Sequence, residues 1–183
     1  MSFADYLHRV LPSPCFYRPF VCDGHPESCS VMVIGENPAT ETSADWWSFW
    51  RDDTGFNLAQ FEANYSKVRL QSGKRPVSNT RLRLNRMRSH DLRCLETNVF
   101  LNEGPRGAAD TAPTAWLSTL FSELQSLQVV VTHGELASRQ LSKVGLPTHM
   151  RLYSLRHFRS ESYSTIDRVA QEIREHLSFL ASS

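Results

Sequence analysis

SVMVIGENPAT, residues Ser30 to Thr40, decides the fold: four apolar residues run without alternation from Val31 to Ile34, then break at Gly35 into a polar turn containing Pro38. A continuous apolar run of this length, bounded by turn residues, predicts a strand covered on both faces, as in a parallel sheet. Three further short β-rich runs are likewise bounded by turn or polar residues: Arg93 to Phe100 (RCLETNVF), Leu127 to Thr132 (LQVVVT) and Arg151 to Leu155 (RLYSL). Helical spacing separates them. Leu58, Phe61, Tyr65 and Val68 follow a capping Asn57, and Leu117, Leu120, Phe121, Leu124 and Leu127 follow Pro113. Glu135 to Val144 predicts a helix stopped by Gly145 and Pro147, and Thr80 to Met87 predicts another on its Arg, Leu and Met content. Ile166, Val169, Ile173, Leu177 and Leu180 form the stripe of a last helix, with Ser164 and Asp167 as its expected capping box. Strands alternating with helices imply an α/β fold: a three-layer α/β/α sandwich around a short, mainly parallel four-stranded sheet.

The 183 residues suit one domain spanning 1–183, and 40% hydrophobic content excludes a disordered chain. No apolar run approaches the roughly 20 residues of a membrane span. Met1 to Pro12 lacks the pattern of a secretory signal, so an intracellular, cytoplasmic protein without a membrane partner is expected. Cys15, Cys22 and Cys29 recur every seven residues with His25 among them, but zinc and iron-sulfur sites use closer pairs, so neither metal nor another cofactor is expected. A net charge of +1 conceals a basic segment: Lys67, Arg69, Lys74, Arg75, Arg81, Arg83, Arg86, Arg88 and Arg93 face the single acid Asp91. Such a segment can track phosphates or form a solvated helix face.

Ligands of parallel sheets bind at the carboxyl ends of the strands. Those ends carry Glu36 and Asn37; Asn98, followed later by Gly104 and Pro105; His133 and Gly134; and Arg156, His157, Phe158 and Arg159. The first is followed by the aromatic stretch Trp46 to Trp50, with Phe56 beyond. Amides match a nucleobase edge, rings offer stacking faces, and cations hold phosphates. No glycine-rich dinucleotide motif or Walker-type lysine is present.

In this order and spacing the chain resembles the uracil-DNA glycosylase superfamily over roughly residues 30 to 160. Gly35-Glu36-Asn37-Pro38 looks like its first motif, and Ser48-Phe49-Trp50 like a stretch of the mismatch-specific branch. Leu95 to Phe100 looks like the base-reading strand, and Val129 to Ala137 like the strand that opens the next helix. Three departures stand out. Ala39 replaces a usual Gly, His157 is followed by Phe158-Arg159-Ser160 rather than Pro-Ser, and the cysteine spacing of the thermostable branch is absent.

The resemblance implies a monomeric base-excision DNA glycosylase that flips out uracil or a related damaged base and hydrolyses its N-glycosidic bond. It assigns the attacking water to Asn37, with Glu36 the alternate, and the developing charge on the leaving base to His157. Asn98 would read the base, one of Trp46, Trp47, Phe49 and Phe56 would stack on it, and Arg81, Arg83, Arg86, Arg88, Phe158 and Arg159 would contact DNA. A catalytically inactive nucleic-acid or nucleotide-binding member of the same fold is the alternative.

Overall fold

The computed structural model describes residues 2–38, 40, 44–101 and 113–182; Ala39, Gly104 and Pro105 lie outside them. In chain order the elements are α1 (Phe3–Val10), β1 (Val31–Gly35), β2 (Trp50–Arg51), β3 (Gly55–Phe56), α2 (Leu58–Gln71), α3 (Asn79–Arg88), β4 (Cys94–Asn98), α4 (Pro113–Glu123), β5 (Val129–His133), α5 (Glu135–Val144), β6 (Arg151–Leu155) and α6 (Tyr163–Ala181). Short 3-10 turns occupy Pro26–Ser28, Trp46–Phe49 and Phe158–Ser160.

β4, β1, β5 and β6 pair in that spatial order, every pair parallel. Side-chain alternation sorts the core into two layers. Val31, Val33, Cys94, Val129 and Val131 pack against Leu84 and Met87 of α3 and the Ile166, Val169, Ala170 and Ile173 stripe of α6. On the other face, Met32, Ile34, Leu95 and Val130 pack with α1, α2, α4 and α5 through Leu7, Phe61, Leu120 and Leu141. The result is the three-layer α/β/α arrangement.

Caps fix several boundaries. Asn57 accepts from Gln60 N at the start of α2, and Ser78 from Arg81 N at the start of α3. α6 starts earlier than Ser164 and Asp167 suggest: Ser162 is the cap, accepting from Thr165 N at 3.0 Å. Asp167 is instead drawn to Arg86 and His90. α4 stops at Glu123, so Leu124 and Leu127 reach the core from the following turn.

The strand order carries the functional consequence. From β1 the chain crosses to β4 on one side, then to β5 on the other, so the connections leaving β1 and β5 diverge and open a crevice at their carboxyl ends.

Candidate functional site

The turn after β1 and the turn after β4 run together: Val99 N donates to Gly35 O and Phe100 N to Glu36 O, each at 2.9 Å. Gly35 pairs with Asn98 in the sheet register. A side chain on Gly35 would place Cβ 2.7 Å from Asn98 Oδ1 and 2.8 Å from His133 Nε2. Glycine is therefore a steric requirement here, letting an amide from β4 and an imidazole from β5 converge over the end of β1.

His133 is buried, with its ring stacked on Phe158 (centroids 4.4 Å) and edge-on to His157 (5.1 Å). Burial, reinforced by the neighbouring His157, pushes its pKa down to about 3, so the ring is neutral at physiological pH. Its Nδ1 is buried without a hydrogen-bond partner.

His157 arises from the turn after β6. A Cβ on Gly134, whose φ of +97° lies in the region that favours glycine, would come within 3.9 Å of the His157 ring. The turn is pinned from below: the Glu161 carboxylate accepts from Arg156 N at 2.9 Å, and Glu161 O accepts from Arg83 Nε at 3.1 Å. His157 Nδ1 accepts from Arg159 N at 3.3 Å, which places the proton of the neutral ring on Nε2. Burial and the Arg159 charge lower its pKa, and Glu36 opposes them.

Glu36, Asn37, His157 and Arg159 line one cleft of about 600 Å³. Its remaining wall includes Arg69, Lys74, Arg75 and the first turn of α3 from Ser78 to Thr80. Arg69 is a brace as well as a charge, since it donates to Arg75 O and to Thr40 Oγ1. Thr40 O also accepts from Arg18.

The structure thus brings Glu36, Asn37, His157 and Arg159 to one cleft, with Asn98 meeting His133 over Gly35 beside it. It places other expected site residues elsewhere. Trp46, Phe49 and Phe56 lie in the core, where Trp46 packs edge-on to Phe20 and its indole N–H donates to Phe20 O. Trp47 stacks on His8 of α1, and its indole N–H donates to Pro12 O. None of the four is among the described residues of the cleft wall.

Phe158 is fully buried against His133, so it is a packing residue rather than a contact for DNA. The four expected DNA-binding arginines of α3 also turn to protein partners. Arg81, only 4% exposed, and Arg88 both ion-pair with Glu96 on β4. Arg83 binds Glu161 O and lies over the Tyr163 ring, and Arg86 forms a bidentate pair with Asp167. The cations that do reach the cleft from this basic segment are Arg69, Lys74 and Arg75.

Among the described residues no helix is long and apolar enough to cross a membrane, and no group of three or more His, Cys, Asp or Glu is arranged to hold a metal ion. No protein-family model matches the chain, and no curated protein matches it significantly.

Proposed function

We propose that the chain is a DNA N-glycosylase, a cytoplasmic monomer that removes uracil or a related damaged base from DNA. The observation that carries the reading is the meeting of Asn37 and His157, 120 residues apart in sequence, in one cleft with a basic wall. A cleft of about 600 Å³ is of a size that holds an extruded nucleotide.

Extrusion costs a few kcal/mol, which contacts in the cleft must offset. Asn37, or the adjacent Glu36, holds a water against the anomeric carbon. As the glycosidic bond lengthens, negative charge grows on the base, and the Nε2–H of neutral His157 donates to it. A fixed donor aimed at developing charge is among the strongest catalytic devices available. Asn98 presents donor and acceptor together and reads the base edge.

Asn is a weak base, so a slow enzyme is expected if Asn37 rather than Glu36 activates water. Binding without cleavage is the competing reading. The Phe158-Arg159-Ser160 that follows His157 in place of Pro-Ser favours it, but Phe158 is fully buried and is not part of the cleft wall.

Single-turnover base release from oligonucleotides carrying uracil, hypoxanthine, xanthine or a mismatch tests the proposal. The wild type releases at least one base. Asn37→Ala and His157→Ala each slow release by about 100-fold or more while leaving affinity for DNA with an abasic-site analogue nearly intact. DNA binding with no release from any substrate would overturn it in favour of the binding module.

A further inference from the structure

β6 is an edge strand, so the turn that carries His157 leaves the sheet with a paired neighbour on one side only. Pairing with β5 reaches Leu155, whose carbonyl accepts from Gly134 N at 3.0 Å. His157 stands two residues beyond. On its C-terminal side Phe158 is fully buried, with its ring stacked on His133 at 4.4 Å. On its N-terminal side Arg156 N donates to Glu161 Oε1 at 2.9 Å, a bond that reaches back over five residues.

Glu161 is itself fixed. It is only 8% exposed, its N–H donates to Phe158 O at 3.1 Å, and its carbonyl accepts from Arg83 Nε at 3.1 Å, which ties it to α3. Ser160 N donates to His157 O at 2.8 Å and closes the turn between them. A carboxylate held this far from water is costly unless it is hydrogen-bonded, and a charge-assisted bond is roughly twice as strong as a neutral one.

We infer that Glu161 is a positioning residue for His157. Its carboxylate takes up Arg156 N where pairing with β5 has ended, and so holds the imidazole in the orientation in which Nδ1 accepts from Arg159 N and the proton stays on Nε2. At 3.3 Å that Nδ1 bond is already long, so a small displacement of the ring breaks it. A catalytic group misplaced by about 1 Å can lose roughly 100-fold in rate. The effect on rate rests on the glycosylase reading; the hold on the ring does not.

Two-bond proton–nitrogen correlation spectra of the full chain, with the His157 signals assigned by their loss in His157→Ala, read the tautomer without substrate. The wild type shows a bare Nδ1 and a protonated Nε2. Glu161→Ala gives a mixture of both tautomers, and Glu161→Gln, whose amide oxygen still accepts from Arg156 N, restores the wild-type pattern. Glu161→Asp keeps the charge but is one methylene too short to reach Arg156 N; it also gives the mixture, which keeps the test decisive if Glu161→Ala does not fold.

In single-turnover assays Glu161→Ala and Glu161→Asp slow base release by about 10- to 100-fold with affinity for abasic-analogue DNA nearly unchanged, and Glu161→Gln recovers most of the rate. A wild-type tautomer in folded Glu161→Ala or Glu161→Asp, or a mixture in Glu161→Gln equal to theirs, would overturn the inference. A wild type that releases no base overturns the glycosylase reading instead, and the spectra still decide the hold on His157.

Discussion

His133 shows what one buried titratable group does to the molecule. Its pKa in the folded chain is about 3, chiefly through burial, against roughly 6.5 when unfolded. Between those values the unfolded chain binds a proton that the folded chain refuses, so acid favours unfolding. Stability is fully retained above pH 6.5 and falls as pH drops below it, by up to about 1.4 kcal/mol per pH unit for this residue. His157, whose pKa is also lowered, acts in the same direction near the top of the window. Carboxylates with lowered pKa such as Asp167 and Glu96 lose their contribution only below about pH 4. Urea denaturation at pH 7.5 and pH 5 separates these groups: His133→Gln removes most of the stability difference that the wild type shows. An undiminished difference in that variant would assign it to other groups.

The two ion-pair systems of α3 differ in setting, and the difference is measurable. Glu96 lies within the sheet and ion-pairs with both Arg81 and Arg88, so Glu96→Gln leaves two largely buried guanidiniums without that counter-charge. Loss of about 3–5 kcal/mol is expected by urea denaturation. Arg86→Ala removes an exposed pair with Asp167 and leaves stability nearly unchanged. Equal effects would show that burial does not distinguish the two. The same helix marks where sequence reasoning reached its reach. The four sheet strands were legible to within one or two residues: β1 and β5, central and buried on both faces, are continuously apolar from Val31 to Ile34 and Val129 to Val131, while the edge strands β4 and β6 were read from short β-rich runs bounded by polar residues. The inward turn of Arg81 and Arg88 was not, because their partner Glu96 belongs to a different element. α1 and the β2–β3 hairpin also went unanticipated; the hairpin is only two residues on each side, too short for periodicity. Strand-end placement did lead to Glu36, Asn37 and His157, and it flagged His133 without giving it a role. Periodicity could not tell that the aromatics around Trp46 fill the core, since a buried ring and a stacking ring read alike in sequence.

For the whole molecule, a net charge of +1 gives almost no long-range attraction to a polyanion, so DNA affinity must come from where the cations sit. Lys74, Arg75 and Arg159 line the cleft from two parts of the chain, whereas Arg81 and Arg88 are occupied with Glu96 and Arg86 with Asp167. On the proposed function, each cleft cation that neutralises a phosphate releases roughly 0.9 counterion from duplex DNA, or about 0.7 from a single strand. Fluorescence anisotropy across a salt series should therefore give a log–log slope that flattens by about 2–3 units in Lys74→Ala/Arg75→Ala/Arg159→Ala, with affinity for unrelated sequences falling alike. Arg86→Ala serves as the control and keeps the wild-type slope, because its guanidinium is held on α6. A triple variant with an unaltered slope would remove the cleft from the DNA path, and a flattened slope in Arg86→Ala would move that path to the α3–α6 face. Arg159 adds a second readout: its charge helps to hold the His157 pKa down, so Arg159→Ala shifts the acid limb of base release to higher pH as the ring protonates more readily. Lys74→Ala removes another cleft cation while leaving the Arg159 and Glu36 charges that act on His157, so the limb stays in place, which separates phosphate binding from the chemistry of the imidazole.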